Sequence, residues 1–540
     1  MTCRGDLLVP PITQADDSRR SFFRPPPPGT MASSSSSSSK RPLPDDAQIS
    51  EQSVAFKKRD SDPTSNESSA LQSILAGDDA AARDTTISSF FDATWQTEPR
   101  LYRRSKVANS DCPLMKAIRI GWDGLASLLE RSRSRFAKIN DDDAGPTAGT
   151  LDPPLFFRNQ TPVQFPEVQS KYNCNPFAAY LDGCSVVLNH ADHLCPRLAA
   201  LCEDLQRSFP HCYCNGYLTP PGAQAVSAHA DDRDVFVIQL LGEKIWKVYN
   251  NVPIPYPYPK EQVGKFGLGV PDDVLLGPTA IETTLRQGDV LYMPRGYVHE
   301  ARTESNQPSF HATVAIATHD WTLAGNMTEM ISRTLMSNKE LRLAVDRRFG
   351  NPNNASSCDT ASSGSDLSSL QAQIDSAMDE IRKKVTAEQI VRQLEVKYSA
   401  QRRLAGTRIA LIRDETNENK CDSNAVVGPE ASQRVLMETI VRAATDEERA
   451  SVRPPPRPAG EATTAASDRG LTVREETSQS LMTIVQRLKQ DRSLKVKVSE
   501  LRSLFDHSKI DESNTDMVCA LSILSFVRAA VELGAIAVVD

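Results

Sequence analysis

Between residues 155 and 321 the apolar positions come in short runs broken by turn signals, whereas beyond Asn326 they recur every three or four residues. The first texture predicts strands and the second predicts helices. Val235–Leu240 is apolar except for Gln239, as a strand buried on both faces requires. Gly242 marks a turn, and Ile245–Tyr249 reads as the returning strand. Leu285, then Gln287-Gly288-Asp289, then Val290–Met293 gives a second strand–turn–strand signal. A helix over His193–Ser208 precedes these strands, with Leu194, Leu198, Leu201 and Leu205 on one face. Further upstream, Phe90, Phe91 and Trp95 recur at helical spacing until Pro99 stops the pattern. The sum is an all-β barrel or sandwich with a helix before it.

In the helical part, Leu367, Leu370, Ile374, Met378, Ile381 and Val385 form one apolar seam. Thr386 and Gln389 predict a capping box for the next helix, which carries Ile390 and Leu394. Two readings of the seam are open: packing on its own domain, or pairing of helices in a homodimer. Residues 448–468 form a polar, Pro-rich linker. Residues 469–540 read as a small α+β unit, with helices around Leu481–Leu488 and Glu500–Phe505 flanking a strand at Val496–Val498. A long apolar helix over Asp516–Leu533 and a closing strand after Gly534 complete it. Helices followed by a short terminal strand suit a winged-helix domain.

Composition trims this picture. A chain of 540 residues exceeds one compact core. Residues 1–85 are rich in Ser, Pro, Asp and Arg, with the runs Pro25–Pro28 and Ser33–Ser39, and predict a disordered tail. Lys40-Arg41 and Lys57-Lys58-Arg59 in that tail are balanced between a nuclear-import signal and ordinary basic clusters. Met31 is an alternative start. A net charge of -7 excludes a generic polyanion binder. Residues 469–540 are balanced in charge, so direct DNA binding is not implied. The eleven cysteines form no CxxC pair, which fits reduced thiols in a cytosolic or nuclear protein. No apolar run reaches the ~18 residues that span a bilayer, so no membrane contact is expected.

With only eight histidines, candidate metal sites can be weighed singly. Non-haem Fe(II) oxygenases hold iron with two His and one carboxylate on one face, leaving three positions open. In β-barrels of this kind, an H-x-D/E at one strand's edge supplies two ligands and a distant His the third. His229-Ala230-Asp231 runs directly into the buried strand Val235–Leu240. His299 follows a Gly288-Asp289 turn, a short strand and a Pro294-Arg295-Gly296 corner. His190-Ala191-Asp192 repeats the H-x-D pattern, but Asp192 leads into an amphipathic helix and reads as its N-terminal cap. His311 reads as a core residue or one behind the ligands. His211, Cys212 and Cys214 lack the second cysteine pair of a zinc site. Lys244, Trp246 and Val248 share one strand face. Alternation alone leaves open whether Lys244 faces inward, where it would need an anion such as a carboxylate, or solvent.

The stretches Asn215–Gly222, His229–Asp231, Gln239–Tyr249 and Gly288–Ala301 resemble the ribosomal oxygenase branch of the JmjC proteins, which are bifunctional lysine-specific demethylases and histidyl-hydroxylases. The resemblance is dense over about residues 85–325. It implies an α+β chain: a double-stranded β-helix (JmjC/cupin) barrel over 86–325, a helical dimerisation region over 326–447, and a C-terminal winged-helix domain over 469–540. It implies Fe(II) on His229, Asp231 and His299, and the 2-oxoglutarate 5-carboxylate on Lys244. Asn215 and Tyr217 match polar residues lining that family's site. The implied activity is 2-oxoglutarate-dependent dioxygenation in the nucleus, either histidyl hydroxylation of a ribosomal protein or lysine demethylation of a histone. A cupin-fold binding module without turnover is the reading from another class. The sequence departs from the family's P-H-Y-D at Ala228 and Ala230, and Ala230 implies more room or less stacking near the substrate. The stretches Asn351–Asp366 and Glu415–Glu430 also depart from it, and read as surface loops.

Overall fold

Val235–Leu240 lies within a fully paired strand, Asp234–Gly242, in the computed structural model of the chain. The structure describes residues 69–77, 86–104, 112–139, 154–344, 360–418, 425–452, 475–504 and 520–539, apart from 165, 166, 169–171, 173, 266, 305 and 306. Its strands are β1 (Arg100–Tyr102), β2 (Leu155–Arg158), β3 (Thr161–Pro162), β4 (Ser185–Leu188), β5 (Cys212–Thr219), β6 (Asp234–Gly242), β7 (Lys244–Tyr249), β8 (Thr279–Leu285), β9 (Val290–Met293), β10 (His299–Arg302), β11 (Ser309–Ile316), β12 (Ile440–Ala443), β13 (Val496–Lys497) and β14 (Ile536–Val539). Among the described residues they form an eight-stranded sheet, β1-β9-β6-β11-β5-β4-β2-β3, and two three-stranded sheets, β10-β7-β8 and β13-β12-β14. Strand pairing is antiparallel throughout.

The turns at Gly242 and at Gly288-Asp289 do not close hairpins as the sequence suggested. Gly242 passes the chain from β6 in the large sheet to β7 in the small one, and the second turn returns it from β8 to β9. The reason is that β6 already has β9 and β11 on its two edges, so β7 cannot pair with it. Side chains between the sheets, including Val235, Val237, Trp246, Val248, Leu291 and Met293, form an apolar cluster. At the crossing, Gly242 has φ +66°, and a Cβ there would lie 1.9 Å from the Pro308 carbonyl oxygen. Gly242→Ala is therefore expected to lower unfolding free energy by at least about 2 kcal/mol. An unchanged urea midpoint would refute this.

The second turn is held by Asp289. Its carboxylate accepts the Arg104 N–H at 2.8 Å and the Arg286 N–H at 3.0 Å, which ties β1 to the sheet edge. Phe90 packs edge-on against Tyr292 at 5.1 Å, so the N-terminal segment covers the outer face of the large sheet.

Order begins earlier than the tail expected over 1–85. Ser69–Leu75 is a helix with Leu71, Ile74 and Leu75 buried, and the Ala70 N–H donates to Asp204 at 2.7 Å. Its apolar spacing of three and four residues was hidden among polar neighbours. Both basic clusters and Met31 lie outside the described residues. Asp192 is not a helix cap. The helix is Pro196–Leu205, its cap residue is Cys195, and Pro196 occupies the first turn without needing an acceptor. Asp192 instead accepts the Cys214 N–H of β5 at 2.9 Å.

In the helical part, Leu323–Ser337, Thr360–Lys384 and Ala387–Glu418 are helices, and the Gln389 N–H meets Thr386 Oγ1 at 3.4 Å. The seam residues Leu367, Ile374 and Met378 stay exposed on the chain's own surface. The stretches expected as loops lie partly outside the described residues, and their described ends continue helices.

The boundary expected at 447/448 falls elsewhere. β12 (Ile440–Ala443) is the middle strand between β13 and β14, so residues upstream of the linker belong to the C-terminal unit. The stretch 446–451, of which 448–451 were expected in the linker, is a capped helix. The C-terminal helix Ala520–Glu532 docks on the N-terminal half: Arg133 pairs with Glu532 at 2.7 Å and Arg528 with Glu130 at 3.3 Å.

Candidate metal centre and its cavity

Two ligand candidates are brought together by backbone pairing. His229 and His299 face each other as an antiparallel bridge, exchanging N–H···O=C bonds of 3.1 and 2.9 Å. Their rings lie 4.6 Å apart at 56°. His229 Nε2 is 3.7 Å from Asp231 Oδ1, and His299 Nε2 is 3.7 Å from Asp231 Oδ2. The distal nitrogens are occupied elsewhere: His229 Nδ1 donates to the Ser227 carbonyl at 2.7 Å and His299 Nδ1 to the Tyr297 carbonyl at 3.0 Å. Each bond places the ring proton on Nδ1 and leaves Nε2 as a lone pair for a metal.

Electrostatics suits a cation. Burial, then Lys265 and His299, lowers His229 to about 3, and burial lowers His299 as well, so both imidazoles are neutral. Burial opposes ionisation of Asp231, but the Lys265 ammonium beside it, by charge and by hydrogen bond, outweighs burial and holds the carboxyl well below its usual range. Two neutral imidazoles and one carboxylate are the donor set of a non-haem iron site. The residues present therefore fit the ion.

The site opens on a cavity of about 300 Å³ lined by Leu155, Phe157, Tyr217, Lys244, Trp246 and His311 among others. Lys244 faces inward: its side chain is 3% exposed, and Nζ donates to Thr219 Oγ1 at 2.9 Å. Burial pulls its ammonium down to about 7. A buried cation in a small cavity is a receptor for an anion. Tyr217 stacks flat on His311 at 4.9 Å and lines the same cavity. Asn215 does not line it; its carboxamide oxygen takes the His190 N–H at 3.0 Å. The side chains of Cys212 and Cys214 are buried on the other side of β5, in the main core.

Ala230 does not open the cavity as the resemblance implied. It packs with Tyr249, Val263, Val274 and Val298, because the middle residue of an H-x-D at a strand edge points opposite to its neighbours. Sequence reasoning missed Lys265, whose Nζ lies 2.5 Å from Asp231 Oδ1 and 3.2 Å from Gln262 Oε1. Its one sequence signal is the preceding Gly264, at φ +79°, where a Cβ would lie 2.4 Å from the Ala228 carbonyl oxygen. That close approach lays the Lys265 loop against the ligand strand.

The JmjC domain family profile matches residues 188–323. The chain is 39% identical over 170 residues to the bifunctional lysine-specific demethylase and histidyl-hydroxylase NO66 of Drosophila sechellia, covering 31% of this chain and 24% of that protein. The protein of the same name from Drosophila willistoni is 29% identical over 289 residues, covering 50% of this chain and 36% of that one. The chain thus spans about a quarter to a third of the length of these curated relatives. Among solved structures, the ribosomal oxygenase YcfD of Escherichia coli, in complex with cobalt and 2-oxoglutarate, matches at 15% identity and a TM-score of 0.33, covering 67% of this chain and 80% of that one.

Proposed function

We propose that this chain, whose residues 188–323 match the JmjC domain family and are similar to the NO66 proteins, is an Fe(II)- and 2-oxoglutarate-dependent dioxygenase that hydroxylates a protein side chain. The observation that carries the reading is the convergence of His229, Asp231 and His299 at the mouth of a cavity that also holds the buried Lys244. Bound iron and 2-oxoglutarate supply the oxidative chemistry: one atom of O2 enters a substrate C–H bond and the other enters succinate, with release of CO2. The chain's own residues do the rest. His229 and His299 present Nε2 because their Nδ1 protons are engaged by carbonyls. Lys265 steadies the Asp231 carboxylate from the side. Lys244, deep and desolvated, receives the distal carboxylate of the co-substrate. Tyr217, stacked on His311, closes one wall, and Asn215 supports it from behind.

Histidyl hydroxylation of a ribosomal protein is the favoured substrate class, and histone lysine demethylation is the second reading, since the relatives' names carry both activities. In the second, hydroxylation of an N-methyl group leads to loss of formaldehyde. The exposed Leu367, Ile374 and Met378 support the helical region as a homodimer contact, and the helices with β12–β14 support a winged-helix-like C-terminal unit. A nuclear location is compatible with the two basic clusters at Lys40-Arg41 and Lys57-Lys58-Arg59.

Anaerobic loading with Fe(II) followed by succinate measurement tests the proposal. Wild-type chain should convert 2-oxoglutarate, and Asp231→Ala should fall at least about 100-fold. Equal turnover by the two would overturn it.

A further inference from the structure

A second His/Asp/His group lies outside the oxygenase centre. His190, Asp192 and His193 bring three donor atoms within 4.8 Å of one another, the same bound that holds for His229, Asp231 and His299. His190 Nδ1 is 3.9 Å from Asp192 Oδ1, and His193 Nε2 is 3.5 Å from Asp192 Oδ2. The corresponding separations in the oxygenase centre are both 3.7 Å. By this measure the two groups are equally gathered.

The obvious structural explanation for the motif does not hold. Asp192 lies three residues ahead of the helix cap, Cys195, which takes no side-chain cap bond. Its carboxylate is nonetheless buried, at 6% exposure. Oδ1 is tied to the Cys214 N–H, which fixes the carboxylate plane and leaves Oδ2 toward His193. His190 is held by its own N–H on Asn215 Oδ1. It adopts a left-handed backbone, φ 51° and ψ 48°, that is uncommon for a residue with a side chain. The conformation brings its ring over that of His193, with centroids 4.8 Å apart and planes 18° from parallel. His190 Nδ1 is buried and makes no hydrogen bond. The left-handed turn at His190 thus brings a buried ring nitrogen with no hydrogen bond to 3.9 Å from a buried carboxylate.

We propose that His190, Asp192 and His193 form a second metal site, selective for a divalent transition ion of the zinc type. Imidazole and carboxylate donors suit such an ion. Tetrahedral zinc asks for donor atoms about 3.3 Å apart, so the two His–Asp spacings, 3.9 and 3.5 Å, each close by less than 1 Å, and the two imidazoles, within 4.8 Å of one another, draw together as well. The side chain of His190, about one-third exposed, supplies the movement by turning its ring out of the stack. Asp192 is already bonded to β5, so an ion here clips the turn before the Pro196–Leu205 helix to the large sheet, with water in the fourth position. The site takes no part in the oxygenase reaction.

The test is zinc stoichiometry on the full chain, stripped with chelator, reloaded and passed over a desalting column. Wild type should retain two zinc ions per chain, and His229→Ala/His299→Ala should retain one. His190→Asn/His193→Ala should also retain one, and the combined variant none. Asparagine accepts the left-handed backbone at 190, so this variant keeps the local fold. Addition of zinc should raise the melting temperature of His229→Ala/His299→Ala but not of the combined variant. Retention of a single ion by wild type, or of two by His190→Asn/His193→Ala, would overturn the second site.

Discussion

Lys244→Met should weaken 2-oxoglutarate binding by at least about 30-fold while making the ligand-free protein more stable near neutral pH. The two effects share one cause. Lys244 is buried with a single hydroxyl acceptor, Thr219, and burial has lowered its ammonium to about 7. In the unfolded chain a lysine titrates near 10.4. Below pH 7 both states carry the proton, and the native state bears the full cost of a desolvated charge. Between about 7 and 10.4 only the unfolded state binds the proton, so wild-type stability rises with pH through that window. Above it neither state is charged and the cost is gone. Methionine removes the cost, so its advantage should be largest at pH 6 and should vanish by about pH 10.5. Binding runs the other way: an anionic carboxylate beside Lys244 favours the charged form, and methionine offers it nothing. Calorimetric titration with Mn(II) present, together with melting curves at pH 6 and 10, checks both halves. A variant that melts lower at pH 6 yet binds 2-oxoglutarate normally would place Lys244 in a structural role instead.

Arg528→Ala should cost about 3–5 kcal/mol of unfolding free energy, the range for breaking a buried ion pair from one side. Arg528 is 2% exposed in the last helix. Its guanidinium donates to the Val435 carbonyl at 3.0 Å, the Gln433 carbonyl at 3.2 Å and Glu130 at 3.3 Å, and lies 4.9 Å from the Phe177 ring. Alanine leaves the Glu130 carboxyl, already raised by burial, without its cation and two carbonyls without a donor. The double change Glu130→Met/Arg528→Met removes both charges and keeps volume, so it should recover much of the loss. Urea unfolding of the single and double variants measures the coupling. Strict additivity would mean that the pair does not hold the C-terminal unit in place.

The candidate metal ligands could be picked out because the chemistry needs few residue types in one order, and the strand after Asp231 and the corner before His299 both left sequence marks. The direction of Lys244 was not legible: alternation sorts a strand into two faces without saying which is inside. Sheet membership was hidden for the same reason. Gly242 signals a reversal of direction equally well within a sheet and between sheets, and only the occupied edges of β6 decide. Lys265 lies 34 residues from the carboxylate it meets, in a loop with no periodicity to read. The place of β12 was masked because a four-residue strand looks like part of the helical texture around it. Ala230 misled because its neighbours are ligands, while its own side chain serves a different layer.

The rung that joins His229 to His299 is made of main chain alone. Two candidate ligands seventy positions apart are thus gathered by backbone pairing, without the ion as the link between them. Such a centre behaves as a socket: the ion can leave and return without the surrounding barrel being rebuilt, and the entropy of assembling the donors is settled before any ion arrives. On the proposed function, a cell short of iron would hold this protein as a folded, idle pool that is restored by supply alone.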